Sequence, residues 1–188
     1  FARLTEQAGA DALELNDYFV PTDPDVDGAR IEAQYLELIA AVRAVVSLPL
    51  AVKIGPYFSS LPHMVRRMVE AGANGIVLFN RYLQPDLDPA SLTVSPDLVL
   101  SVPHELRLPL RWTAILRGRI QASLAVTSGV HSARDVLKAL LVGADVTMMA
   151  SALLQHGPEH VRKVVAELRN WLIEFEYTSV EQLKGSMS

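Results

Sequence analysis

Gly75-Ile-Val-Leu-Phe-Asn80 is the stretch that decides the fold: a short apolar run that ends in a polar residue. Four other runs share its form. They are Ala12-Leu-Glu-Leu-Asn16, Leu50-Ala-Val-Lys-Ile-Gly55, Ala122-Ser-Leu-Ala-Val-Thr-Ser-Gly129 and Val146-Thr-Met-Met-Ala-Ser151. Each is followed by a segment able to hold a helix, and such alternation points to a parallel sheet. In a barrel of alternating strands and helices the carboxyl ends of the strands share one rim, where these folds place their chemistry.

The helical segments read from apolar spacing. Ile31, Tyr35, Leu38, Ile39, Val42 and Val46 form one stripe and predict a helix over about 28–47. Leu61, Met64, Val65, Met68 and Val69 predict a second over about 61–71, closed by Gly72. Leu137, Leu140 and Leu141 lie on a third, and Val161, Val164, Val165, Leu168, Trp171, Leu172 and Phe175 on the last. The connection over about 81–119 is longer than a βα unit needs and holds five prolines. It is expected to rise above the rim, with a short hairpin at Leu92-Thr-Val and Leu98-Val-Leu, and to return through a helix over about 109–118. Five βα units match either a doubly wound sheet or part of a barrel. The start, Phe-Ala-Arg-Leu-Thr-Glu-Gln, reads as a helix tail without an initiator Met, so the expectation is one domain over 1–188. That domain is the C-terminal five-eighths of an α/β (β/α)8 TIM barrel, inside a larger protein. Its exposed sheet edges would favour aggregation or pairing, which leaves room for a homodimer.

Half of the 188 residues are apolar and the formal net charge is −4, with no basic stripe. Nucleic acid is therefore not the expected partner. No apolar run reaches the length of a membrane span, so no membrane partner is expected. There is no cysteine, which excludes disulfides, thiolate catalysis and Cys-ligated zinc and fits a cytoplasmic setting.

Several residues carry chemistry. Lys53 sits in an apolar strand, where an ammonium needs water, a fixed anion or the electron-rich end of a cofactor; an edge-strand lysine reaching solvent is the competing account. Asn16 and Asn80 close strands that flank it, and their amides suit a planar imide ligand, although a lone Asn at such a place serves turns as often. Thr127-Ser-Gly-Val-His-Ser-Ala133 and Met149-Ala-Ser-Ala152 are small-residue turns one strand apart, the pattern of a phosphate cradle or of tight packing. Tyr18 to Asp25 are placed to form a lid. Asp17, Asp23, Asp25 and Asp27 lack the spacing of an EF-hand, and the five histidines lack a compact ligand pattern, so no metal is expected. His131 adjoins the first small-residue turn.

These motifs, in this order, resemble the dihydroorotate dehydrogenase family of flavin-dependent (β/α)8 barrels. The resemblance runs from Ala10 to Gly185 and is carried by Leu13-Glu-Leu-Asn16, Val52-Lys-Ile-Gly-Pro-Tyr-Phe58 and Ala71-Gly-Ala-Asn-Gly-Ile-Val-Leu-Phe-Asn80. It continues through Thr127-Ser-Gly-Val130, Gly143-Ala-Asp-Val-Thr-Met-Met-Ala-Ser-Ala-Leu153, Gly157-Pro158 and Tyr177-Thr-Ser-Val-Glu-Gln-Leu-Lys-Gly185. It implies FMN. Lys53 then matches the lysine beside the flavin pyrimidine edge, and Ser128, Gly129, Ala150 and Ser151 match the turns that hold the FMN phosphate. Asn16 and Asn80 match asparagines on the small-molecule substrate. Two departures stand out. Phe19 occupies the place of the family's Cys or Ser base, with Pro21 in place of a substrate asparagine, and Arg81 replaces a small Ser or Thr after Asn80, where it would bind a carboxylate or fill the substrate space. The pattern is closer to the dihydroorotate dehydrogenase-like subgroup. It implies hydride transfer between FMN and a dihydro or unsaturated small molecule with the usual base replaced, in a setting of pyrimidine metabolism. The alternatives are a catalytically silent FMN- or phosphate-ligand-binding barrel and an unrelated phosphate-binding barrel enzyme without flavin.

Overall fold

A computed structural model describes residues 1–96 and 98–187. The elements in chain order are α1 (Ala2–Gln7), β1 (Leu13–Asn16), α2 (Gly28–Arg43), β2 (Leu50–Ile54), α3 (Leu61–Glu70) and β3 (Gly75–Leu78). The long connection contributes β4 (Asp86–Asp88), β5 (Thr93–Ser95), a 3-10 turn (Pro103–Leu106) and α4 (Arg107–Leu116). Then come β6 (Ser123–Val126), α5 (Ala133–Leu141), β7 (Val146–Thr147), α6 (Ser151–His156), α7 (His160–Glu174) and α8 (Val180–Leu183).

The principal sheet is parallel, in the order β1-β2-β3-β6-β7. Strand order follows chain order with no reversal. A doubly wound sheet needs a reversal, because its helices divide between two faces; a singly wound run with helices outside one face is a barrel arc. The arc does not close, so β1 and β7 each keep one unpaired edge among the described residues.

Strand alternation places the residues of β1 and β2, while in β3 Val77 is buried on the other face as well. Leu50, Val52 and Ile54 are buried on the helix side, with Ile76 and Leu78 of β3 and Leu124 of β6. They pack against Tyr35 and Ile39 of α2 and Met64, Val65 and Met68 of α3. A second core under β6 joins Val126 to Val136, Leu137 and Leu140 of α5, Val164 of α7 and Leu183 of α8. The other face carries Glu14, Asn16, Ala51 and Lys53 at partly or largely exposed positions. A strand with one face packed and one open needs this period of two.

The structure corrects several expected boundaries. α2 stops at Arg43, not at Ser47: the Arg43 guanidinium turns back to donate to the carbonyls of Val46 (2.9 Å) and Leu48 and ends the helix before Pro49. The hairpin pairs Asp86 with Ser95 and Asp88 with Thr93, so Leu98-Val-Leu100 is not one of its strands. The Asp88 carboxylate sets this turn by accepting from the Ala90 N–H (2.9 Å) and the Ser91 hydroxyl (2.6 Å). Asp97, within the expected hairpin, lies outside the described residues. The return helix α4 begins at Arg107, two residues early, and β7 shrinks to two residues.

Candidate functional site

The parallel register aligns Asn16 with Lys53, Lys53 with Val77, Val77 with Ala125 and Ala125 with Val146, one row across the open face just below the rim. Lys53 is the cation of that row. Its Nζ lies 3.6 Å from Glu14 Oε1, and the lysine side chain keeps 23% of its surface exposed. Glu14 stands on the same face, one pleat nearer the strand's start. Asn16 is exposed beside it.

Asn80 takes another part. Its backbone N–H donates to Ile54 O (2.7 Å), and its side-chain Nδ2 donates to the carbonyls of Asp17 (3.0 Å) and Lys53 (3.2 Å). One buried amide therefore fastens the rim ends of β1, β2 and β3 together. Arg81 faces the long connection, where Nε donates to Glu105 Oε2 (2.8 Å) and Nη1 to the Val99 carbonyl. Burial pushes the Glu105 carboxyl up, but the Arg81 guanidinium and the Val102 N–H outweigh it and hold it below the usual carboxylate range. Arg81 is thus a clasp between the rim and the connection.

Beneath this clasp lies a cavity of about 650 Å³, lined by Tyr57, Asn80, Arg81, Tyr82, His104 and Ser128 among others. It opens at the ends of β2, β3 and β6, and its volume suits a small organic ligand.

The two small-residue turns meet at a residue that no local signal marks. Ser101 of the connection is buried, and its Oγ accepts from the Gly129 N–H (3.3 Å) and donates to Ser151 Oγ (2.9 Å). The Ser101 N–H also donates to Ser151 Oγ (2.9 Å). His131 Nε2 lies 3.4 Å from the same Ser101 hydroxyl. Ser128 and Gly129 both adopt positive φ, at 70° and 76°, which turns the Gly129 amide inward. A Cβ on Gly129 would collide with the Leu106 backbone, so only glycine fits. The α5 N-terminus takes no part in this cradle. Ser132 caps it, and the buried Asp135 carboxylate accepts from the N–H groups of His131 (3.2 Å) and Ser132 (3.1 Å). Ala150 and Ser151 open α6 at the other side of the cradle.

The loop after β1 folds back on the rim as an aromatic layer. The rings of Tyr18 and Tyr82 meet edge to face at 4.6 Å, and Tyr57 stacks on Tyr82 at 5.2 Å. The Leu83 N–H donates to the Tyr18 hydroxyl (3.0 Å). Phe19 lines a second cavity, of about 520 Å³, with Tyr35, Tyr57 and Tyr82. Asp17 lies under this layer, its Oδ2 buried without a hydrogen-bond partner among the described residues. Burial pushes its carboxyl above the ordinary value. A group whose folded pKa is raised penalises the folded state once pH exceeds its unfolded pKa, and the penalty is complete above the folded one. Asp17→Asn is therefore expected to stabilise the chain by about 1 kcal/mol at neutral pH, the scale of one unsatisfied polar atom. The gain should vanish below the ordinary aspartate pKa. Urea melts at pH 3 and pH 7 check this, and an equal or lower midpoint for the variant at pH 7 contradicts it.

Among the described residues no three His, Cys, Asp or Glu side chains gather to hold a metal, and no helix is long and apolar enough to cross a membrane.

Comparison with known proteins adds to this geometry. A family profile described as FMN-dependent dehydrogenase matches residues 23–177. The chain is 26% identical to a putative dihydroorotate dehydrogenase A (fumarate) of Aeropyrum pernix, over 98% of this chain and 61% of that protein. It is 28% identical to the catalytic subunit of a dihydroorotate dehydrogenase B (NAD(+)) of Bacillus pumilus, over 87% of this chain and 51% of that one. A chloroplastic dihydropyrimidine dehydrogenase (NADP(+)) of Arabidopsis thaliana matches at 21% over 96% of this chain and 46% of its own length. The chain thus spans about half to three-fifths of these relatives.

Proposed function

The chain belongs to the FMN-dependent dehydrogenase family, and from that premise we propose that it forms the greater part of an FMN-binding oxidoreductase site. The reaction is hydride transfer between FMN and a dihydro or unsaturated small molecule. The observation that carries the reading is the convergence of the Gly129 N–H and the Ser101 and Ser151 hydroxyls on one point of the rim, two strands over from the Lys53 strand. These small residues fit a phosphate in kind, although here Gly129 N–H is taken by Ser101 Oγ and the Ser101 hydroxyl by Ser151 Oγ, so an anion would take the Gly129 N–H by displacing Ser101. Ser128, Gly129, Ala150 and Ser151 would hold that phosphate, and Lys53 would face the pyrimidine edge of the ring. Bound FMN supplies two-electron hydride chemistry. The protein's part is to orient it and to place a cation where negative charge develops on reduction.

Asn16 and the open part of the 650 Å³ cavity are left for the substrate. Asn80 would act there through its carbonyl oxygen, since its Nδ2 serves the backbone. Arg81, matched by Glu105, bounds the cavity and shapes it. Phe19 has no atom to accept a proton, so dihydroorotate is not the substrate this site oxidises. A silent flavin-binding barrel is the second reading, favoured by the same Phe19 and by the clasped Arg81.

Titration with FMN under a visible absorption scan is the test. Saturable uptake with a perturbed flavin band is expected, and no uptake overturns the assignment. Anaerobic dihydroorotate is expected to leave the bound flavin yellow; rapid bleaching would overturn the reading of Phe19.

A further inference from the structure

The Ser101 hydroxyl stands where three other groups meet. The Gly129 N–H reaches its Oγ from 3.3 Å, Ser151 Oγ lies at 2.9 Å and His131 Nε2 at 3.4 Å. A hydroxyl has one hydrogen, and that of Ser101 goes to Ser151. Toward Gly129 and His131 it can only accept, so His131 Nε2 faces a lone pair and is the nitrogen that carries the proton. Ser101 Oγ thus marks the place of an acceptor atom. An anion oxygen put there would meet the Gly129 amide and the His131 imidazole. It would also meet Ser151, which accepts twice from Ser101 and still has its own hydrogen to give.

The imidazole is held at this junction from behind. The His131 N–H donates to the buried Asp135 carboxylate (3.2 Å), and the His131 carbonyl accepts from His160 Nε2 of α7 (2.8 Å). Both backbone groups are thus fixed, which roots the half-buried side chain beside Ser101. The charges that face it are already matched. Glu105 of the 3-10 turn lies within electrostatic reach and is paired with Arg81 (2.8 Å), and Asp135 is paired with Lys138 (3.3 Å). His160 spends its Nε2 hydrogen on the carbonyl, with the His156 ring of α6 4.9 Å from its own. Among the described residues no lysine or arginine bonds the Ser101 hydroxyl, so His131 is the side chain there that can turn positive charge toward an anion.

We propose that His131 is the cationic donor to the cofactor's phosphate, and that the Ser101 hydroxyl is the placeholder which the phosphate displaces. The inference rests on the FMN reading above. A phosphate monoester carries about −1.5 to −2 charge at neutral pH. Amide and hydroxyl donors alone would leave that charge unmatched in a half-buried place; a facing imidazolium matches it with a charge-assisted bond. Histidine changes charge close to neutral pH, which makes the cradle sensitive to pH. The bound phosphate favours the imidazolium over the neutral ring. Binding therefore takes up a proton on the alkaline side of neutrality, and affinity falls as pH rises there. Below about pH 6 the phosphate itself loses charge, so affinity is greatest just under neutrality. The same pairing selects FMN over riboflavin, which has no phosphate to offer.

The test is titration calorimetry of FMN into the flavin-free protein at pH 6.5 and 8.5, with riboflavin as the ligand that lacks the phosphate. The native protein is expected to lose about 10-fold in FMN affinity between the two. At pH 7.5 it is expected to take up more than half a proton on binding, read from two buffers of different ionisation heat. His131→Asn is expected to bind FMN about 10-fold more weakly than native at pH 6.5, to equal it at pH 8.5, and to lose the proton uptake. His131→Lys carries a charge that does not titrate in this range. It is expected to hold FMN about as tightly at pH 8.5 as at pH 6.5, and it decides the matter if the asparagine variant misfolds. Riboflavin affinity is expected to be alike at both pH values. A flat native affinity for FMN, a His131→Asn affinity at pH 6.5 within twofold of native, a lysine variant that keeps the alkaline fall, or a riboflavin affinity that falls as FMN affinity does each overturns the proposal and leaves the cofactor reading standing. No uptake of FMN by the native protein is a different result, and it overturns the cofactor reading and this proposal with it.

Discussion

Lys53→Ala is expected to make bound FMN harder to reduce, by about 60 mV in midpoint potential, with hydride-transfer rates falling about 100- to 1,000-fold. The argument is electrostatic. Reduced flavin carries negative charge at its pyrimidine edge, and the Lys53 ammonium on the open face is the nearest cation that strand register supplies. Removing one preorganised donor of this kind costs about 3 kcal/mol at the charged state, and for a two-electron couple 1.4 kcal/mol corresponds to about 30 mV. Stability should change little. The Glu14 pair at 3.6 Å is partly solvated on both sides, and such pairs contribute at most about 1 kcal/mol. Potentiometric titration of the native protein and the variant is the check. An unchanged potential with normal FMN binding would remove Lys53 from this role.

Gly129→Val is expected to abolish phosphate-dependent FMN uptake and to destabilise the fold by about 3–5 kcal/mol. Two costs combine. At φ of 76° a β-branched residue is strained by about 1–3 kcal/mol. The added Cβ also drives into the Leu106 backbone, which cannot rotate away as a side chain can. Relief requires the 3-10 turn at Pro103–Leu106 to lift, and that lifts Ser101 off the Gly129 amide. Urea denaturation reads the first effect and FMN titration the second. A variant that melts within 1 kcal/mol of native while binding FMN normally would refute the close approach described here.

The strands and the rim were legible in the sequence because they depend on local pattern. Leu50, Val52 and Ile54 alternate with Ala51 and Lys53, and the first run ends with its strand at Asn16, whereas the fifth overshoots β7 and its Ser151 opens α6. The family resemblance agrees with the FMN-dependent dehydrogenase profile. Features set by distant partners were not legible. Asn80 reads as a ligand-facing amide, yet its Nδ2 is claimed by carbonyls 27 and 63 residues away in the chain. Ser101 is one serine in a proline-rich stretch, and nothing nearby announces its burial. The hairpin shifted because apolar residues at Leu98 and Val99 suggested a strand, whereas side-chain bonds to Asp88 chose the turn. Glu14 was open to discovery: it shares the parity of Asn16, so any register that pairs Asn16 with Lys53 brings it near the ammonium.

The Ser101 junction has a kinetic meaning as well. Its bonds to Gly129 and Ser151 close loops of 28 and 50 residues, the second about as long as the span that β3 and β6 close when they pair across the connection. Long closures form after short ones, because their entropy must be met before their contacts reward it. The Ser101–Ser151 bond is thus among the late closures, waiting until the connection and the end of β7 have both arrived. On the FMN reading, flavin colour would therefore report that the connection, β6 and α6 have come together.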